Sequence, residues 1–174
     1  AWHQAALKGN RQNGYDDFAA VAGDLVRRGI TTAGQLGIQG GSNGGLLTGV
    51  SLTQHPELFG AVIIEVPLLD MLRYTELPPG ASWIAEYGDP SKPEEAAWLA
   101  AYSPYQHVAE GGAYPPVLLT TSTADDRVHP GHARKMAARL QALGHENTLF
   151  FEETEGGHGG RGDRRPQAAQ TAMK

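Results

Sequence analysis

The sequence contains no cysteine. Disulfide bonds, thiolate metal sites and cysteine nucleophiles are therefore excluded, and the chain is indifferent to the redox state of its compartment. For that reason the composition leaves cytoplasmic and periplasmic locations equally open.

Positive charge is scarce, with 14 Lys and Arg against 19 Asp and Glu and a formal net charge of −5. Proteins that bind nucleic acid usually carry a basic face, so we do not expect a nucleic-acid partner. No apolar run approaches the roughly 20 residues of a membrane helix, so we expect a soluble protein without a membrane partner. The chain begins Ala1-Trp2-His3, without an initiator Met or a leader pattern, and we interpret it as a piece of a longer polypeptide.

Helical patterns and short apolar strand patterns alternate along the chain, which favours an α/β fold with a mostly parallel sheet and flanking helices. The predicted strands are 36–39, 61–65, 117–121 and 148–151. The predicted helices are 15–28, one from about 46 to 55, one from 93 to before 104, and 130–143. Residues 61–65 are apolar almost throughout, which predicts a strand covered on both faces. We assign residues 1–160 to one partial domain and 161–174 to a polar C-terminal tail.

A glycine-rich segment follows the first predicted strand. Gly40-Gly41-Ser42-Asn43-Gly44 fits the pattern G-x-S-x-G between a strand and a helix, which is the nucleophile elbow of α/β-hydrolases. A sharp, strained turn lifts the serine clear of the sheet, and we expect side chains at the flanking glycines to clash with the neighbouring strand and helix. The N–H of Asn43 would then point at the oxyanion that develops during acyl transfer.

Serine is a poor nucleophile unless a base and an orienting acid accompany it. In α/β-hydrolases these follow in the order Ser, Asp, His, each on a loop after a strand. Asp125 follows the third predicted strand and His158 the fourth, although Asp126 fits the spacing equally well. The order predicts an α/β-hydrolase with Ser42 as its nucleophile.

Two further histidines are candidate metal ligands. His129 and His132 lie three residues apart at the start of a predicted helix, but no third ligand accompanies them. We therefore predict no metal site. We also predict no cofactor, because a serine, histidine and aspartate site needs none.

Several segments together resemble the catalytic domain of the prolyl oligopeptidase family of serine peptidases. They are Trp2-His3, Asn13 with Tyr15-Asp16-Asp17-Phe18, Gly40-Gly41-Ser42-Asn43-Gly44-Gly45, Tyr102-Ser103-Pro104, Asp125-Asp126-Arg127-Val128 with Pro130, and Gly157-His158-Gly159. The resemblance extends over nearly the whole chain and implies an α/β-hydrolase fold, peptide substrates and cleavage after proline.

The resemblance also implies a role for each site residue. Ser42 would be the nucleophile, Asp125 would orient the base His158, and Asn43 would donate one N–H to the oxyanion. The Arg127 guanidinium would hold a peptide carbonyl of the substrate, where the alternative is an ion pair with a neighbouring carboxylate. Trp83 would stack on the substrate proline, where the alternative is a tryptophan in the core.

The sequence also departs from the family. Its members are several times longer and carry a β-propeller, whereas this chain predicts four strands that correspond to the second half of the hydrolase domain. The absent half would supply the second oxyanion donor, a tyrosine hydroxyl, and losing one such donor commonly costs about 10²–10³ in rate. The nucleophile strand would lie at an open edge, so we expect that edge to pair with another chain or to promote aggregation.

Two other functions remain alternatives to cleavage after proline. One is carboxylesterase activity on small esters, because esters are easier to cleave than amides and a site without the propeller would admit them. The other is an inactive fragment of a longer peptidase.

Overall fold

A computed structural model of the chain describes residues 2–159 and residue 172. The predicted tail therefore lies outside the described residues, apart from that single position. Four strands are described: β1 (Gly37–Gly41), β2 (Ala61–Glu65), β3 (Val117–Ser122) and β4 (Thr148–Glu153). The α-helices are α1 (Gln12–Arg27), α2 (Asn43–Gln54), α3 (Ile84–Tyr87), α4 (Pro93–Tyr102), α5 (Pro104–His107) and α6 (Gly131–Ala142). Short 3₁₀ turns lie at His3–Ala6, Lys8–Asn10, Ala33–Gln35, Pro56–Leu58, Tyr74–Glu76 and Gly80–Trp83.

The four strands form one parallel sheet in the order β1-β2-β3-β4. Helix α2 connects β1 to β2, and α6 connects β3 to β4, as parallel neighbours require. All four strands therefore end at the same edge of the sheet. In the described part of the chain β1 pairs only with β2, which confirms that the strand before Ser42 lies at an edge.

Helices α1, α2 and α6 cover one face of the sheet. Val62 and Ile64 of β2 are fully buried there, whereas Ala61 is exposed and Ile63 is half-buried. The prediction that this strand is covered on both faces is therefore wrong for the part of the chain that the structure describes. On the edge strand β4, Leu149 is 66% exposed, whereas all six residues of β3 are buried.

A second apolar cluster packs beside α2 and beneath α3 and α4. It contains four tyrosines among aliphatic residues, and we refer to it as the tyrosine cluster. Its buried members are Tyr15, Leu46, Val50, Leu68, Met71, Tyr74, Tyr87, Leu99, Tyr102 and Val128, and Trp83 packs against it while remaining half-buried.

The helix boundaries differ slightly from those expected. Helix α1 begins at Gln12, not at residue 15, so Asp16 and Asp17 do not lie in its first turn. Residues 67–88, between β2 and α4, contain short 3₁₀ turns and the single turn of α3. Within the described residues, no helix is long and apolar enough to cross a membrane.

Candidate active site

Ser42 lies at the turn between β1 and α2. Its backbone has φ 59° and ψ −118°, a conformation that non-glycine residues rarely adopt and that stores strain. Hydrogen bonds on both sides hold it there: the Ser42 N–H donates to the Glu65 carbonyl at 2.9 Å, and the Ser42 carbonyl accepts from Leu46 at 3.1 Å. The serine is thus displayed at the carboxyl edge of the sheet, as the motif predicts.

The glycines of this turn are required by close backbone contacts, though not all at the expected positions. A Cβ at Gly40 would lie 2.2 Å from the Gly44 carbonyl oxygen, so the predicted clash with the helix is confirmed there. A Cβ at Gly44 would meet nothing within 4 Å, and the prediction is wrong at that position. Gly45 is the residue that packs against the neighbouring strand, because its Cβ would lie 2.8 Å from the Glu65 carbonyl oxygen.

Asp125 and His158 meet on the loops that follow β3 and β4. The His158 Nδ1 lies 2.9 Å and 2.8 Å from the two carboxylate oxygens of Asp125. Asp125 Oδ1 also accepts the backbone N–H groups of Arg127, at 2.9 Å, and Val128, at 2.8 Å. The carboxylate is fully buried and held from two sides, so it fixes the imidazole with a proton on Nδ1 and leaves Nε2 available as a base.

The structure distinguishes the two aspartates that the spacing left open. Asp126 is exposed, and no hydrogen bond joins it to His158 within residues 2–159. Asp125 is therefore the partner of His158. Ser42 directly follows the edge strand β1, and the described residues include no hydrogen bond between its Oγ and His158.

The side chains of both predicted substrate-binding residues are at least partly exposed to solvent. Arg127 is exposed and makes no ion pair within the described part of the chain, which disfavours the alternative of a structural ion pair. Trp83 is half-buried against the tyrosine cluster, so it is not a fully enclosed core tryptophan.

A polar cluster beside the elbow was not predicted. Asn43 Oδ1 accepts hydrogen bonds from Arg11 Nη2 at 2.5 Å and from the Tyr87 hydroxyl at 2.9 Å. Arg11 Nη1 donates to Glu86 at 2.5 Å, Glu86 also contacts His3 at 2.8 Å, and the Arg11 guanidinium lies 4.5 Å from the centre of the Tyr87 ring. These partners are 32 to 83 positions apart in sequence, so no local sequence pattern indicates that they meet.

Arg11 and Glu86 of this cluster stay charged although burial opposes their charges. Burial would lower the pKa of Arg11. The nearby phenols of Tyr15 and Tyr87 and the hydrogen bond to Glu86 outweigh this and raise the pKa above its ordinary value. The guanidinium therefore stays charged. Burial would raise the pKa of Glu86, but hydrogen bonds from His3 and Arg11 outweigh burial and lower it. Burial raises the pKa of Tyr87 to about 12, so its hydroxyl remains a donor to Asn43 at neutral pH.

An open cavity of about 280 Å³ adjoins this cluster and the first turn of α2. It is lined by His3, Ala6, Arg11, Gly14, Tyr15, Asn43, Gly44, Leu47 and Glu86. Asn43, which follows Ser42, thus faces a space beside the elbow.

The histidines weighed as metal ligands do not converge. His129 Nδ1 accepts the N–H of Gly131, whereas the buried His132 Nδ1 accepts the N–H groups of Leu69 and Asp70. Across the described residues, no group of three or more His, Asp or Glu is arranged to hold a metal ion. His129 therefore binds the backbone of its own turn, and His132 binds the backbone of a segment distant in sequence.

Comparison with known proteins gives a consistent result. The profile of the prolyl oligopeptidase family matches residues 1–174. The chain is 51% identical over 173 residues to the uncharacterized peptidase y4nA of Sinorhizobium fredii, covering 99% of this chain and 24% of that protein. It is 39% identical over 164 residues to the prolyl endopeptidase of Dictyostelium discoideum, covering 91% of this chain and 22% of that one.

Solved structures are also similar to this chain over most of its length. One, from a mechanistic study of two prolyl endopeptidases, is 48% identical with a TM-score of 0.89 and covers 91% of this chain and 24% of its own. A post-proline cleaving enzyme from Rickettsia typhi is 45% identical with a TM-score of 0.85, covering 90% and 23%. The chain therefore spans about a quarter of the length of the relatives it matches.

Proposed function

This chain belongs to the prolyl oligopeptidase family, and we propose that it is the catalytic part of a serine peptidase that cleaves the peptide bond after proline. The observation that carries this proposal is the buried Asp125 carboxylate on Nδ1 of His158, at the same sheet edge as the strained Ser42. The relatives named as prolyl endopeptidases support the choice of substrate.

The reaction would proceed through an acyl-enzyme. Ser42 Oγ attacks the scissile carbonyl carbon and gives its proton to His158 Nε2, while Asp125 stabilises the imidazolium. The N–H of Asn43, at the start of α2, donates to the oxyanion of the tetrahedral intermediate. The C–N bond then breaks, and the departing amine takes the proton from His158. Water, activated by the same imidazole, hydrolyses the ester that remains on Ser42.

Substrate recognition would come from Arg127 and Trp83. The exposed Arg127 guanidinium has no carboxylate partner among the described residues, so its N–H groups are free to donate to a peptide carbonyl. The half-buried Trp83 would place a flat indole face against the pyrrolidine ring of proline.

The test compares three chromogenic substrates with the complete 174-residue chain. They are a blocked Gly-Pro 4-nitroanilide, the matching Gly-Ala 4-nitroanilide, and 4-nitrophenyl acetate, each assayed with a Ser42→Ala control. We expect the proline substrate to be cleaved in preference to the alanine one. Replacement of Trp83 by Leu should lower that preference, whereas replacement by Phe should largely keep it.

The other outcomes identify the alternatives. Ester hydrolysis that depends on Ser42, without amide hydrolysis, would indicate a carboxylesterase. No cleavage of any substrate would indicate that this chain is an inactive part of a longer peptidase.

A further inference from the structure

Arg11 is a buried cation whose contacts converge on the catalytic turn. The residue is only 8% exposed, and its guanidinium binds side chains from two distant segments. It reaches Asn43 on α2 and Glu86 on α3, and its Nε donates to the Tyr15 hydroxyl at 3.3 Å. A charged group this buried persists only where it is paired and hydrogen-bonded, so these contacts fix its position firmly.

The contact with Asn43 bears on the elbow directly. Asn43 is the first residue of α2, and its backbone N–H is one of the donors at a helix start that have no partner within the helix. The residue is exposed, yet its carboxamide oxygen is held by two donors, one of them charged. Together these two hydrogen bonds restrict the orientation of the Asn43 backbone N–H.

The same guanidinium also reaches the segment that carries the predicted proline-binding indole. Glu86 and Tyr87 belong to α3, which directly follows Trp83. Arg11 pairs with Glu86 and lies over the Tyr87 ring, while Tyr87 donates to the Asn43 oxygen that Arg11 also binds. One side chain therefore connects the residue after the nucleophile with the wall of the predicted proline pocket.

We propose that Arg11 is a positioning residue that aligns the Asn43 N–H with the oxyanion and couples this alignment to the proline pocket. The inference rests on the proposed function, because it assigns Arg11 a part in that reaction. This alignment stabilises the transition state, in which the Asn43 N–H donates to the oxyanion. It does not strengthen the initial binding of the substrate.

The test uses Arg11→Met and Arg11→Lys in the complete chain, with Arg28→Met as the matched control. Arg28 is an exposed arginine beyond the end of α1, whose surface pair with Asp24 involves no residue of the site. The measurements are kcat and KM on the proline and alanine nitroanilides, and the rate of Ser42 modification by a fluorophosphonate.

A misplaced catalytic group costs about 10²-fold in rate, so we expect Arg11→Met to lower kcat by about that factor with little change in KM. The preference for proline over alanine should fall as well. Arg11→Lys should recover part of kcat, because an ammonium keeps the charge but lacks the fork that reaches Asn43 and Glu86 together. Arg28→Met should match the parent chain.

The outcomes separate this inference from the proposed function. A parent chain whose Ser42 does not react contradicts both. A reactive parent with unchanged kcat and proline preference in folded Arg11→Met contradicts the positioning role alone. If Arg11→Met does not fold, Arg11→Lys takes its place, because it keeps the buried charge and loses only the fork that reaches Asn43 and Glu86 together, and an unchanged kcat and proline preference in that variant contradicts the proposal.

Discussion

Replacing Asp125 by Asn tests how the acid orients His158. Both backbone N–H groups that bind this carboxylate point at Oδ1, so the amide oxygen of an asparagine should occupy that position. The amide NH₂ then takes the place of Oδ2, which lies 2.8 Å from His158 Nδ1. Nδ1 also lies 2.9 Å from Oδ1, but that oxygen already accepts two backbone N–H groups, whereas the NH₂ group can only donate. Nδ1 therefore becomes an acceptor, and the imidazole proton moves to Nε2. His158 then has no free nitrogen to accept the proton of Ser42.

The loss expected from a wrong tautomer is about 10⁴ in rate, which corresponds to about 5 kcal/mol of transition-state stabilisation. The assay is the second-order rate of Ser42 modification by a fluorophosphonate, which needs no knowledge of the preferred peptide. Asp126→Asn is the matched control, since that carboxylate is exposed and does not contact His158 in the described residues, and it should react at the parental rate. A rate within tenfold of the parent for Asp125→Asn, or an equal loss in both variants, would refute this reasoning.

Three further predictions concern stability and association. Burial lowers the pKa of His132 from 6.5 to about 4, so its contribution to stability is complete above pH 6.5 and is lost, by about 3 kcal/mol, as the pH falls toward 4. When unfolding in urea is measured at several pH values, the free energy of unfolding of His132→Gln should not fall in this way between pH 6.5 and 4. The same fall in this variant as in the parent chain would contradict the prediction. Gly40→Ala should lower the free energy of unfolding by about 1–3 kcal/mol through overpacking, and Gly44→Ala should not; equal effects would contradict the contacts described. Sedimentation should show self-association through the open edge of β1, and a monodisperse monomer would argue against it.

The fold was largely predictable because its signals are local. The apolar run of β2 matches the strand residue for residue, and glycine or proline marks the ends of most other elements. The elbow follows from five consecutive residues. The acid and base could be located because residues after parallel strands must meet at one edge of the sheet, whatever their separation in sequence.

The rest depends on contacts between distant residues. Spacing alone leaves Asp125 and Asp126 equivalent, and only the hydrogen bonds to the Arg127 and Val128 backbone and to His158 separate them. No sequence motif marks Arg11, because its contacts depend on burial beside partners that are remote in sequence. An apolar strand predicts burial but not whether one face or both are covered.

If this chain assembles a working nucleophile and base, Ser42 should react with a fluorophosphonate. The reaction is followed by mass spectrometry of the digested protein. We expect a single adduct on Ser42 that is absent from the Ser42→Ala variant. An unmodified Ser42, or equal modification of the Ser42→Ala variant, would contradict this expectation.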